Sequence, residues 1–212
     1  MTLTIYEGTT RWGSRMKYRA IWPKTKKHLK EYLAGLMAGD GQIEKKRITI
    51  TDSSKEFLND VARRVTNILG IEPKIHQRTN ADAYYMRIYG VEAVKEFRQL
   101  ITELKSRPTL NFIRGFFDAE GTINVEQGKY VVIEISQHEG TIIANLAIAL
   151  RDRCIYPYIR YREYYDPRPK KRKTYTRYAL RIKRVSSVYR FLSKVGVRHP
   201  KHISRLIGLR PL

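Results

Sequence analysis

Two short segments rich in small residues constrain this chain more than anything else in it. They are Leu33-Ala34-Gly35-Leu36-Met37-Ala38-Gly39-Asp40-Gly41 and Ile113-Arg114-Gly115-Phe116-Phe117-Asp118-Ala119-Glu120-Gly121, and they lie 80 residues apart in matching register. In the first, Ala34 and Ala38 fall one helical turn apart with Gly35 and Gly39 beside them; Gly115 and Ala119 repeat the arrangement. Small residues at this spacing strip the side-chain layer from one helix face and let two helices meet backbone to backbone. Glycine inside a helix costs about 0.5–1 kcal/mol relative to alanine, so close approach is a better reason for its presence than chance. An interval of 80 residues is too long for a solenoid unit and suits a duplicated α/β module.

Periodicity fills in each copy. Leu29, Tyr32, Leu33 and Leu36, and then Leu110, Ile113, Phe116 and Phe117, recur at helical spacing. Beyond Gly41 and Gly121 the period falls to two: Ile48 and Ile50 alternate with Arg47, Thr49 and Thr51, and Val131, Ile133 and Ile135 with Tyr130, Val132, Glu134 and Ser136. Lys55 to Leu69 predicts an amphipathic helix closed by Gly70, with a counterpart near 141–153. Strands are expected near 72–79, 83–90, 156–165 and 174–184, and closing helices near 91–104 and 185–195. The expected class is α+β, α-β-β-α-β-β-α taken twice, as a first half over 23–105 and a second over 106–212. Residues 1–22 form a basic, aromatic extension carrying Arg11, Trp12, Arg15, Lys17, Arg19 and Trp22, with no predicted structure.

The 212 residues include 42 Lys and Arg against 20 Asp and Glu, a formal charge of +22. With 42% hydrophobic residues the chain can still bury a real core. Such a field recruits a polyanion, most commonly nucleic acid. A thermophile's charged surface is the bland alternative, but that pattern mixes both signs in networks. A single cysteine, Cys154, excludes a disulfide framework, a cysteine zinc site and an iron–sulfur cluster; its apolar surroundings predict a buried side chain. The five histidines, His76 and His138 among them, show no ligand spacing and suggest surface or core roles. The N-terminal residues do not resemble a secretion signal, and no stretch is long and apolar enough for a membrane span. An intracellular, soluble protein is expected.

Asp40 and Glu120 each precede a glycine at the C-terminal end of their helix. The helix dipole is negative there, so an acid is misplaced by about 0.3–1 kcal/mol. A lone Asp-Gly is usually a plain turn. A divalent cation would remove the conflict, taking the carboxylate and, as a second hard ligand, the main-chain carbonyl of Gly39 or Ala119. Paired helices would bring both acids to one end, the geometry that metal-assisted, in-line phosphodiester hydrolysis requires.

At these residues the chain resembles the LAGLIDADG homing endonucleases, the second segment looking like the second copy found in single-chain members; the resemblance covers about residues 27–205. It implies two halves about a pseudo-twofold axis, motif helices at the interface, and two antiparallel sheets forming a DNA saddle. It further implies Mg²⁺-dependent cleavage of both strands of a long double-stranded DNA target, Mn²⁺ or Ca²⁺ being able to occupy the same sites. Asp40 and Glu120 match the family's metal-binding acids, and Gly39 and Ala119 the residues whose carbonyls also reach metal. Ala38 departs from the acid many members carry, while Asp118 keeps it. Asp52 and Gln137 fall where the family places a polar residue that organises water near the metals. Gln137 fits; Asp52 departs, and is open to holding a water, a cation or the N-cap of the next helix. Lys105 and Lys201, each expected in a turn after the last helix of its half, are candidates for the basic residue near the scissile phosphates.

If one face of each sheet packs on its helices, alternate residues face DNA. The first half offers Gln42, Glu44, Lys46, Arg47, Thr49, Thr51, Lys74, His76, Arg78 and Arg87. The second offers Thr122, Asn124, Glu126, Glu134, Ser136, Tyr158, Arg160, Arg162, Arg177, Arg181 and Lys183. Gln, Asn, Glu and Thr among the cations suit the reading of base edges rather than phosphate alone. Ten-residue strands span ~33 Å, so two sheets end to end suggest a site of roughly twenty base pairs. Residues 160–184 hold eleven Lys or Arg against two acids and include the run Lys170, Lys171, Arg172 and Lys173, which suits a hairpin tip on phosphates. The leading expectation is a monomeric site-specific endonuclease of an intron or intein. The alternative is an RNA maturase binding intron RNA, or a DNA-binding regulator that does not cleave.

Overall fold

The computed structural model describes residues 5–9, 15–19, 22–79, 81–127, 130–166 and 173–207. Thr25 opens the first motif helix, its hydroxyl accepting from the His28 N–H, and α1 runs over Lys26–Asp40. After it come β3 (Gly41–Ile43), β4 (Arg47–Asp52), α2 (Lys55–Arg64), β5 (Lys74–Gln77), β6 (Tyr84–Tyr89) and α3 (Val91–Ser106). The second set is α4 (Leu110–Glu120), β7 (Gly121–Glu126), β8 (Tyr130–Gln137), α5 (Gly140–Arg151), β9 (Tyr158–Asp166), β10 (Lys173–Ile182) and α6 (Val185–Lys194). The duplicated order expected from periodicity is therefore present. Two antiparallel sheets carry it, ordered β3-β4-β6-β5 and β7-β8-β10-β9. Their registers match, Gly41 opposite Ile50 and Gly121 opposite Ile135, which makes Asp52 and Gln137 equivalent positions.

Three elements go beyond the sequence expectation. A hairpin of β1 (Ile5–Thr9) and β2 (Arg15–Arg19) forms within the basic extension, with β2 against α6. The helix expected over 55–69 changes to a π-helical turn at Val65–Leu69, yet still ends on Gly70 in the left-handed conformation, φ +68°. A further helix, α7 (Pro200–Ile207), follows α6 and touches β7 and β1. Pro200 starts it well, because proline's missing N–H is one that a first turn leaves unpaired anyway.

The core is continuous through both halves, from Leu29, Leu33 and Leu36 across Phe112, Phe116 and Phe117 to the sheet residues Ile48, Ile50, Ile133 and Ile135. At its centre α1 and α4 meet backbone to backbone. A Cβ built on Gly35 would overlap the Phe112 carbonyl, and one on Gly115 would overlap the Tyr32 carbonyl. Buried Glu31 of α1 adds a polar clasp, accepting from the Thr109 hydroxyl at 3.0 Å and the Asn111 amide at 2.9 Å at the N-terminus of α4. An acid is favoured by the helix dipole at that end. Cys154 departs from expectation. It is exposed and left-handed, φ +59°, because the turn after α5 points it away from the core. Among the described residues no helix is long and apolar enough to cross a membrane.

Gly115→Ala should lower unfolding free energy by at least about 3 kcal/mol, since two backbones must separate to admit the methyl group. Gly70→Ala, with nothing within 4 Å of its Cβ, should lose only about 1 kcal/mol to left-handed strain. Urea titrations of both variants check the ranking.

Candidate metal and nucleic-acid site

Both motif helices stop the same way. Gly41 and Gly121 take extended conformations, and their N–H groups bond back to the Met37 and Phe117 carbonyls. Strands β3 and β7 therefore leave directly from Asp40 and Glu120. A Cβ on Gly39 would lie 2.6 Å from the Ala119 Cβ and 3.0 Å from the Glu120 Cγ. The small-residue face thus delivers the two acids to one end of the helix pair. Burial raises the Asp40 carboxyl above its ordinary range, Lys201 opposing the rise and Asp52 adding to it. Glu120 is raised by burial and then by Asp40, with the Gln137 hydrogen bond, Arg177 and Lys201 opposing. Mutual repulsion of partly buried acids is what a cation between them would relieve.

Asp40, Glu120 and the Gly39 and Ala119 carbonyls make a hard, all-oxygen donor set. Among the described residues no group of three or more His, Cys, Asp or Glu side chains could hold a metal. Two carboxylates fit a Mg²⁺-like ion that keeps waters and phosphate oxygens as its remaining ligands.

The other expected catalytic residues divide. Gln137 donates from Nε2 to Glu120 at 3.1 Å. Lys201 belongs to the first turn of α7 rather than to a turn after α6, and its Nζ donates to the Ala119 carbonyl at 2.8 Å. Lys105 is a correction: it lies in the last turn of α3 and pairs with Glu139 at 2.6 Å instead of reaching either acid. Asp52 is not the N-cap of α2. Ser54 caps it through the Phe57 N–H at 3.1 Å, while Asp52 accepts from the Ser54 N–H at 2.7 Å and from His199 Nε2 at 2.8 Å.

Neither Asp118 nor His199 was singled out for a role. Asp118 is 0% exposed. It accepts from the Tyr32 hydroxyl at 2.8 Å and from the main-chain N–H groups of Arg198 and His199 at 2.9 and 3.1 Å. Burial raises its carboxyl, and those hydrogen bonds oppose the rise. The available signal is Asp118 itself, an acid set directly between Phe117 and Ala119.

On the first sheet Gln42, Thr49, Arg87 and Lys74 stand in one row, and Thr51, Tyr85 and His76 in the next. Thr49 is nearly buried, and the Arg87 guanidinium lies 4.3 Å from the Tyr85 ring centre. Tyr85 was not anticipated, although its alternation with Arg87 marked it. β3 ends at Ile43, so Glu44 and Lys46 lie in the turn beyond it, and Glu44 pairs with Arg47 at 2.8 Å. Arg78 follows β5.

On the second sheet Thr122, Glu134, Arg181 and Tyr158 form a row, next to Ser136, Ala179 and Arg160, then Arg177 and Arg162. A trough of about 310 Å³ runs over this face from Glu120 past Asn124 to Tyr164. Arg181 is only 8% exposed, pairing with Glu126 and with Glu134 at 2.8 Å; Glu126 also takes Lys183 at 2.9 Å. Ser136 is nearly buried and donates to Glu134 at 3.2 Å. Lys170, Lys171 and Arg172 lie outside the described residues, and Lys173 opens β10.

A LAGLIDADG-like domain model matches residues 27–102 and 107–196. A DNA polymerase of Thermococcus kodakarensis is 21% identical over 188 residues, 79% of this chain but 11% of that protein, so the chain spans only a small part of its length. Among solved structures, homing endonuclease I-DmoI in complex with DNA and Mn superposes at TM-score 0.57 and 17% identity, covering 80% of this chain and 96% of that one. Its complex with DNA and Ca gives 0.59 and 17%, covering 84% and 96%. Full-length DUF199/WhiA from Thermatoga maritima gives 0.59 and 17%, covering 90% of this chain and 62% of that one.

Because both acids hold protons more tightly folded than unfolded, they destabilise the metal-free fold once pH rises above the ordinary carboxylate range. Glu120→Gln, which keeps an acceptor for Gln137, should raise the melting temperature in EDTA by a few degrees at pH 7.5. The gain should vanish below about pH 4, where the native carboxyl is itself neutral.

Proposed function

The chain belongs to the LAGLIDADG-like family, and on that premise we propose that it is a monomeric, site-specific endonuclease that hydrolyses both strands of a double-stranded DNA site of roughly twenty base pairs. The observation that carries this is the convergence of Asp40 and Glu120 at one end of α1 and α4, with Lys201 beside them on the Ala119 carbonyl. The halves 23–105 and 106–212 each take one half-site, and the chain acts inside the cell. The solved I-DmoI complexes with DNA and Mn or Ca support DNA as partner and a divalent ion as cofactor, and a complex prepared with Mg supports Mg²⁺ among them. A related segment within a much longer polymerase chain fits an element carried inside a host gene, as an intron or intein product would be.

Bound there, Mg²⁺ supplies a polarised phosphate and a more acidic attacking water. The protein's own groups do the rest. Asp40, Glu120 and the carbonyls of Gly39 and Ala119 would hold the ion, the Ala119 oxygen using the lone pair that Lys201 leaves free. Gln137 fixes the rotamer of Glu120, its own amide held by the His138 N–H at 2.8 Å. Lys201 brings a positive charge to where a phosphate would gain negative charge, which is electrostatic stabilisation of the transition state. Around this centre the cations of both sheets neutralise phosphates, while Gln42, Thr51, Thr122 and Asn124 are the polar groups placed to read base edges.

Selection from a randomised DNA library without divalent metal, followed by Mg²⁺ and sequencing of the ends, tests the assignment. Paired cuts within one long asymmetric motif are expected; specific binding without cuts would make the protein a non-cleaving regulator, and preference for intron RNA a maturase. Asp40→Asn and Glu120→Gln should each abolish cutting and leave binding within about threefold, an effect below 1 kcal/mol. Binding should weaken by at least about 10³ between 50 and 200 mM salt. A flat salt dependence would remove the basic sheets from the interface.

A further inference from the structure

We propose that His199 is a positioning residue that fixes where Lys201 places its ammonium, by tying the start of α7 to Asp52 in the other half of the molecule. This rests on the endonuclease assignment only for what Lys201 then does; the tie itself stands on geometry.

His199 precedes Pro200, and its carbonyl accepts from the His202 and Ile203 N–H groups, so it is the N-cap of α7. Its Nδ1 accepts from the Lys201 N–H at 3.0 Å. A ring nitrogen that accepts a main-chain proton carries none, so the imidazole proton sits on Nε2. Nε2 therefore donates, and it faces both oxygens of Asp52 at 2.9 and 2.8 Å. The ring is 3% exposed and packs on Phe57 of α2 with centroids 4.5 Å apart. From the opposite side buried Asp118 of α4 takes the main-chain N–H groups of Arg198 and His199. His199 is thus held by α4 through its backbone and by the first half through its ring, one residue before Pro200 and two before Lys201.

A cap needs only one acceptor, and asparagine or serine supplies it better than histidine does. The second ring nitrogen is what histidine adds, and it is spent on Asp52. Lys105, at the end of α3, pairs with Glu139 instead. Lys201 is the lysine beside both acids, and while Asp118, the Phe117 carbonyl and the Ile123 carbonyl hold α7 to the second half, the His199–Asp52 contact ties its start to the first.

The test compares His199→Asn with the wild-type protein. Asparagine keeps an acceptor for the Lys201 N–H, as N-caps do, but cannot reach Asp52. If His199 were merely a cap, this variant would behave as wild type. On the proposal, kcat for cleavage falls at least about fivefold with KM for DNA little changed, and acylation of Lys201 by an amine-reactive probe, read by mass spectrometry without DNA or metal, rises at least about fivefold. Asp52→Ala should raise Lys201 labelling equally, as its ammonium leaves the Ala119 carbonyl, and the double variant should go no further than the larger single effect. Wild-type labelling in His199→Asn overturns the proposal even if kcat falls, since His199 then acts by another route; additive labelling in the double variant overturns it too. Changed labelling in a protein that cuts no DNA upholds the positioning tie and removes the endonuclease assignment. His199→Gln, long enough to donate to Asp52, should bring labelling part of the way back to the wild-type level.

Discussion

Everything in this molecule depends on two helices approaching until their backbones touch. Gly35 sits on the Phe112 carbonyl and Gly115 on the Tyr32 carbonyl, so no side-chain layer separates α1 from α4. Helices packed through ordinary side chains keep their axes 8–10 Å apart. Here the closer contact brings together two helix ends, at Asp40 and Glu120, that would otherwise stand well apart. The core of the two halves merges across it, and the acids at the helix ends come within repulsive range of each other. Glu31 and its partners at the start of α4 lock the far end of the pair.

Duplication gave two similar halves, and their differences are concentrated around the acids. Where α1 has Ala38, α4 has Asp118, whose buried carboxylate anchors the segment leading into α7. Where β8 ends in Gln137, bonded to Glu120, β4 ends in Asp52, which repels Asp40 and also engages His199. These substitutions compensate one another. An acid on the first half calls for a donor, and an acid on the second half's motif helix holds that donor in place. The result is a lysine, Lys201, that bears on both carboxylates, with Arg177 beside Glu120 as well.

The net charge of +22 is distributed unevenly in its local chemistry. On the second sheet Arg181 and Lys183 are tied to Glu126 and Glu134, which fixes a cation within the trough instead of leaving it to swing in solvent. Side chains held in this way lose less freedom on meeting a partner than unconstrained lysines do. The first sheet uses aromatic support instead, Arg87 lying over Tyr85.

Much was legible in the residue order because it is local physics. Helical spacing of small residues, alternation of Ile48 and Ile50 or Ile133 and Ile135, and glycines directly after the acids each act within a few residues, so the duplicated elements and the paired acids follow from sequence alone. The equivalence of Asp52 and Gln137 was readable for the same reason, as each sits at a fixed distance from its motif. The exposure of Cys154 was not, since the turn after α5 rather than the surrounding hydropathy sets its direction. Nor were the fates of the two lysines. Lys105 and Lys201 occupy like places in the chain, but which one reaches the acids depends on where α7 docks, and that depends on Asp118. The His199–Asp52 bond joins residues 147 apart, a separation over which spacing carries no information. Such a contact exists only because the α1–α4 interface has already fixed one half against the other, and tertiary packing alone could decide it.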